Sequence, residues 1–175
     1  MISQALLTAA ALALLVAPAF GAASEYPDKD ITPGLARSDA TVEQLCSGTS
    51  AKTEKPIPSA TRRDVFAAYR VSGNRDPQCQ SENKKCRVDH LIARKLGGAD
   101  AAVNLWPQRT TGEWSTSEKD QLEDCMYLRV CARLAEKGDG AATRLLRVYQ
   151  RDLVSDWIAA FKNVIGDRSG SCVAS

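Results

Sequence analysis

Residues 87–108 read RVDHLIARKLGGADAAVNLWPQ, and this stretch decides the fold. Cys86-Arg-Val-Asp-His-Leu-Ile92 predicts a strand, Gly97-Gly-Ala-Asp100 a turn, and Val103 to Trp106 a short return segment ended by Pro107. Beyond it the apolar spacing becomes helical. Ser115 to Ser117 offer N-caps, Glu118 and Asp120 suit the positive end of a helix dipole, and Leu122, Met126, Val130 and Leu134 follow at spacing four. Gly138 and Gly140 break that helix. A second, long amphipathic helix is marked by Leu145, Leu146, Tyr149, Leu153, Trp157 and Phe161, and stops near Gly166. The expected class is α+β, a small β-hairpin followed by a helix, with additional helices.

Upstream signals are weaker. Ala5 to Val16 (ALLTAAALALLV) is too short and Ala-rich for a comfortable bilayer span, and small residues follow it through Ala23. Residues 1–23 therefore read as a secretory signal peptide, and the mature chain is expected to be exported and soluble. Residues 24–60 form an extended lead-in with one helical turn around Ala40–Leu45. Thr61 and Asp64 start a short helix carrying Val65, Phe66 and Tyr69 on its apolar face, and Ser72 to Lys85 is a polar loop. The main domain spans 61–166, with a tail at 167–175. A hydrophobic content of 44% over 175 residues suffices for a real core.

Export makes the six cysteines a disulfide framework. Cys79 and Cys86 enclose only QSENKK, so their pairing clips a local loop. Cys46–Cys131 and Cys125–Cys172 are expected for the rest, although spacing alone does not choose among the connectivities. A structural zinc site is the rival reading, and Cys-x₆-Cys matches its usual spacing poorly.

His90 is the only histidine, which excludes sites that need two or three. The net charge of +2 looks too small for a nucleic-acid partner, but it is unevenly spread. Residues 52–95 carry eleven basic and five acidic side chains, whereas 24–51 and 96–175 are both net acidic. Such a basic segment can neutralise phosphates, or can simply be a solvated face.

Asp89 and His90 lie inside that segment. On a regular strand neighbours face opposite sides, and one turned residue at a strand end brings both to one site. A carboxylate suits a divalent cation such as Mg²⁺, Mn²⁺ or Zn²⁺, and an imidazole can take a proton from water near neutral pH. Together they form a recipe for attacking a phosphodiester. Alone, an Asp-His dipeptide is ordinarily a surface or satisfied core pair; the ordered set Asp-His, Gly-Gly, Asn-Leu and helix is more specific.

At these residues the chain resembles the HNH endonucleases, whose ββα-metal motif places a hairpin and a helix around one cation. The resemblance runs through Val88-Asp-His-Leu-Ile92, Gly97-Gly98 and Asn104-Leu-Trp-Pro-Gln108. It extends to Glu118-Lys-Asp-Gln-Leu-Glu123, Val130-Cys131 and Asp156-Trp-Ile-Ala-Ala160. It implies His90 as general base, Asp89 as metal ligand, and Asn104 as the residue that orients the histidine-bearing loop. It also implies hydrolysis to a 5′-phosphate and a 3′-hydroxyl, with nucleic acid, DNA foremost, as partner.

The chain departs from the family at the third motif position. Members place His or Asn on the helix as a further ligand; Tyr127 stands where related chains often have His, and Ser115 where some have Asn. Glu123, one turn before Tyr127, is the candidate replacement ligand. Lys119 either contacts phosphate or pairs with Glu123. Lys84, Lys85, Arg87, Arg94 and Lys95 complete the candidate nucleic-acid contacts. Ala93 and Arg94 replace the Pro-Leu often found after His-Leu-Ile. These departures also leave a second expectation, a degenerate HNH-like module that binds nucleic acid without cutting it.

Overall fold

The computed structural model describes residues 25–48, 55–71, 79, 82 and 85–172. The expected signal peptide at 1–23 and Lys84 lie outside the described residues. The fold is α+β. In chain order it comprises α1 (Val42–Cys46), α2 (Ser59–Val71), β1 (Cys86–His90), β2 (Leu105–Arg109), α3 (Thr116–Lys137) and α4 (Asp139–Val164). Two 3₁₀ turns, Arg94–Leu96 and Ala102–Asn104, lie in the long connection between the strands.

β1 and β2 pair antiparallel, with Asp89 opposite Trp106 and His90 opposite Leu105. Pro107, expected to end the return segment, instead sits inside β2 opposite Val88. The ladder explains why it is tolerated. Thr110 N–H bonds to Lys85 C=O and Leu91 N–H to Asn104 C=O, so alternate pairs exchange hydrogen bonds and the Val88–Pro107 pair falls between them. The strand expected to reach Ile92 ends at His90 because Leu91 and Ile92 turn into the connection.

α3 starts where its capping chemistry dictates. The Ser115 and Glu118 side chains cap each other's backbone in a reciprocal box, and Gly138 ends the helix. α2 begins at Ser59, two residues before the expected Thr61, with Pro58 C=O accepting from Arg62 N–H. Within α4 the backbone leaves helical geometry at Asp156, whose carboxylate accepts from Ala159 N–H and restarts the helix.

Two apolar clusters result. The larger packs Leu122, Met126 and Val130 of α3 against Leu146, Leu153, Trp157 and Phe161 of α4, with Val42 and Leu45 of α1. The smaller gathers Val65, Phe66 and Tyr69 of α2 around Cys86, Val88, Leu105 and Trp106 of the hairpin. Three disulfides, Cys46–Cys131, Cys79–Cys86 and Cys125–Cys172, join the chain in the expected pairs. They suit an oxidising environment. No helix among the described residues is long and apolar enough to cross a membrane.

The lead-in is not a loose approach to the domain. Ala36 pairs with Gly98, Thr32 Oγ1 donates to Leu105 C=O, and Trp157 Nε1 donates to Glu25 C=O. The tail returns to α3 through Cys172, through Gln121 Nε2 donating to Gly170 C=O, and through an Arg168–Glu118 ion pair.

Candidate active site

The connection after His90 is held from within by Asn104, which is completely buried. Its Oδ1 accepts from Ile92 N–H (3.0 Å) and Leu35 N–H (3.3 Å). Its Nδ2 donates to Ile92 C=O (3.0 Å) and Ala99 C=O (2.9 Å). All four polar valences of the amide are thus used on backbone. Asn104 clamps the loop that follows the histidine and does not line the cleft. Gly98 makes the close approach possible, since a Cβ there would lie 1.7 Å from Ile92 C=O.

Asp89 and His90 leave the end of β1 toward different partners yet line one cleft of about 390 Å³, together with Arg94, Lys95, Glu123 and Tyr127. Beneath it lies Lys119, with no exposed surface. Its ammonium donates to Asp89 Oδ2 (3.1 Å), to His90 C=O (2.5 Å) and to Glu123 Oε1. Lys119 and Glu123 are one turn apart on α3, so the helix presents both to the strand end. Burial would lower the Lys119 pKa, but the Asp89 and Glu123 charges prevail and hold it above the ordinary lysine value. Burial pushes Glu123 up to about 7, with Lys119 opposing and Asp89 reinforcing the shift. The expected phosphate contact at Lys119 is corrected by this burial: its three protons are spent inside the protein.

His90 turns to the other side. Its Nε2 lies 2.8 Å from Asp100 Oδ1, and Arg94 Nε donates to that same oxygen at 2.6 Å. Arg94 also donates to Lys55 C=O (2.8 Å), so its guanidinium braces the site as well as bordering the cleft. Burial lowers the His90 pKa and Arg94 adds to that, while Asp100 and Asp89 oppose it. Burial alone would raise the Asp100 carboxyl, but Arg94 and His90 hold it below the usual range.

Asp89, His90, Arg94, Lys95 and Glu123 therefore meet at the cleft. Arg87 does not line the cleft but is bonded twice to Asp120, which does (2.8 and 3.1 Å), and Lys95 pairs with Asp124 at 2.5 Å. Lys85 is exposed beyond the opposite end of β1 and does not line the cleft. Tyr127, at the position where the resemblance would put a histidine, lines the cleft and donates to Leu45 C=O at 3.3 Å. Asp100 was legible only as a turn residue. It lies ten positions from His90, and the intervening 3₁₀ turn, not a spacing rule, brings the two together.

The donor set answers the question of a shared metal. One oxygen each of Asp89 and Glu123 is already held by the Lys119 ammonium. Among the described residues no group of three or more His, Cys, Asp or Glu side chains is arranged to hold a metal ion. A divalent cation shared by Asp89, the ligand the resemblance implies, and Glu123, the candidate replacement ligand, does not fit beside that ammonium. Compared with family models, curated proteins and solved structures, the chain has no match.

Proposed function

We propose that this chain is an exported HNH-like endonuclease that hydrolyses phosphodiester bonds in nucleic acid, DNA foremost. The observation that carries the reading is the placement of His90. A single imidazole sits at the end of the first strand of a hairpin–helix unit, beside Asp89 on an open cleft, with Asn104 fixing the loop behind it. In this reading His90 takes a proton from the attacking water, and burial that keeps its pKa low keeps the ring neutral and ready near pH 7. In the same reading Arg94 and Lys95, which line the cleft, and Arg87, bonded to Asp120 of its wall, supply positive charge to the phosphate. The requirement for one divalent cation comes from the resemblance, and no step is assigned to it here.

A second reading, a module that binds nucleic acid without cutting it, is favoured by one observation: Lys119 already occupies the point between Asp89 and Glu123. One assay separates the two. The oxidised chain is incubated with plasmid DNA and Mg²⁺, Mn²⁺, Zn²⁺ or EDTA, beside His90→Ala. Cleavage with a divalent cation that the variant loses supports the nuclease. Absence of cleavage under every condition, or equal cleavage by the variant, overturns it. Salt-sensitive binding without product supports the second reading.

A further inference from the structure

The bond between His90 and Asp100 fixes more than the ring's position. A carboxylate oxygen only accepts, and Asp100 Oδ1 already accepts from Arg94 Nε at 2.6 Å. The guanidinium favours the ionised carboxylate over one that would donate. His90 Nε2, 2.8 Å from the same oxygen, must then be the donor. In the neutral ring the proton is on Nε2 and the lone pair is on Nδ1. Among the described residues Nδ1 has no hydrogen-bond partner, and His90 lines the cleft.

We propose that Asp100 is the positioning residue of this site, holding His90 as the Nε2–H tautomer so that Nδ1 is the nitrogen that accepts the proton. Arg94 is the outer member of the relay: it spans Lys55 C=O and Asp100, and so fixes the carboxylate that fixes the ring. Two independent anchors therefore act on His90. Its backbone carbonyl is held by Lys119 from α3, and its ring by Asp100 from the loop. The first sets where the residue sits, the second which nitrogen it offers. The proposal rests on the reading of His90 as the base only for its consequence in catalysis; the tautomer itself is a property of the free protein.

Because His90 is the only histidine, its imidazole nitrogens give a single assignable set of ¹⁵N signals. The experiment is a long-range ¹H–¹⁵N correlation spectrum of the oxidised chain at about pH 8, where a ring of ordinary or lowered pKa is neutral. Nε2 is expected at a protonated, pyrrole-type shift and Nδ1 at an unprotonated, pyridine-type shift. In Asp100→Ala the two shifts should move toward each other as tautomers mix. Asp100→Asn, whose amide oxygen still accepts from Arg94 and His90, should retain the native pattern.

A proton on Nδ1 in the native chain overturns the proposal without any variant. An unchanged pattern in Asp100→Ala overturns it as well. If the chain cleaves DNA, Asp100→Ala should lower kcat by roughly tenfold or more with little change in KM, and equal kcat would remove Asp100 from catalysis. The two readings fail separately. A chain with the Nε2–H tautomer that cuts nothing overturns the nuclease and leaves Asp100 in place; an active chain with the proton on Nδ1 does the reverse.

Discussion

The helical half of the molecule, built on α1, α3 and α4, surrounds Trp157 and Phe161 with aliphatic side chains and carries two disulfides that close long stretches of chain. The hairpin half, built on α2, β1 and β2, has a smaller cluster around Trp106 and one disulfide spanning seven positions. The candidate site lies between them. Leu91 buries into the hairpin cluster and its neighbour Ile92 into the helical one, so the loop after His90 is the seam. The helical half is held by non-directional burial, whereas the seam is held by directional bonds, Asn104 above all. Apolar packing sets the overall arrangement of helices, and saturated polar bonds set the path of the loop that follows His90.

This contrast can be broken in stages. Replacing Cys46 and Cys131 by Ala opens a separation of 85 residues, and chain entropy predicts a loss of about 4–5 kcal/mol, read from the urea midpoint under oxidising conditions. Asn104→Ala leaves two backbone N–H and two C=O groups without their partner, at a cost of roughly 3–4 kcal/mol. Amide exchange of Ile92 and Leu35 should accelerate more than that of Leu153 in the helical core. Uniform acceleration instead would mean that seam and helical core open together. Replacing Cys79 and Cys86 by Ala should cost only about 2–3 kcal/mol, because the loop they close is short.

The smallest effect is a pH dependence. The folded-state pKa of Glu123, about 7, lies above its ordinary 4.5, so the folded chain binds the proton more tightly than the unfolded chain. Its contribution to stability is complete below about pH 4.5 and is lost as pH rises through about 7. The slope should amount to something on the order of 1–3 kcal/mol across that window and should flatten in Glu123→Gln. His90 works the other way. Its folded pKa is lowered, so stability falls as pH drops below about 6.5. Urea midpoints from pH 4.5 to 7.5 for the native chain, Glu123→Gln and His90→Ala separate the two slopes. A native slope unchanged in Glu123→Gln would show that the buried Lys119–Glu123 pair does not titrate in this range.

Much of this was written in local pattern. The spacing of Leu122, Met126 and Val130 named the buried face of α3, Ser115 and Glu118 marked its start, and the short Cys79–Cys86 interval named its own disulfide. Asp89, His90 and Asn104 stood out as a set, whereas the four backbone partners of the Asn104 amide were not legible in the sequence. Lys119 was ambiguous because a helical i, i+4 pair with Glu123 looks the same in sequence whether exposed or buried. Pro107 was misread because a strand end and a non-hydrogen-bonded strand position place the same demand on a proline.

By itself, then, the sequence determined the periodicities, the caps, the single imidazole and the basic segment around it, since each depends on residues within a few positions of one another. Only the tertiary structure decided which carboxylate meets which nitrogen. Asp89 and Lys119 are thirty positions apart, and His90 and Asp100 meet across a turn whose path depends on Asn104 and on the bare backbone of Gly98. Charge and hydrogen-bond energies fall steeply with distance and angle, and those coordinates exist only once the hairpin has closed on α3.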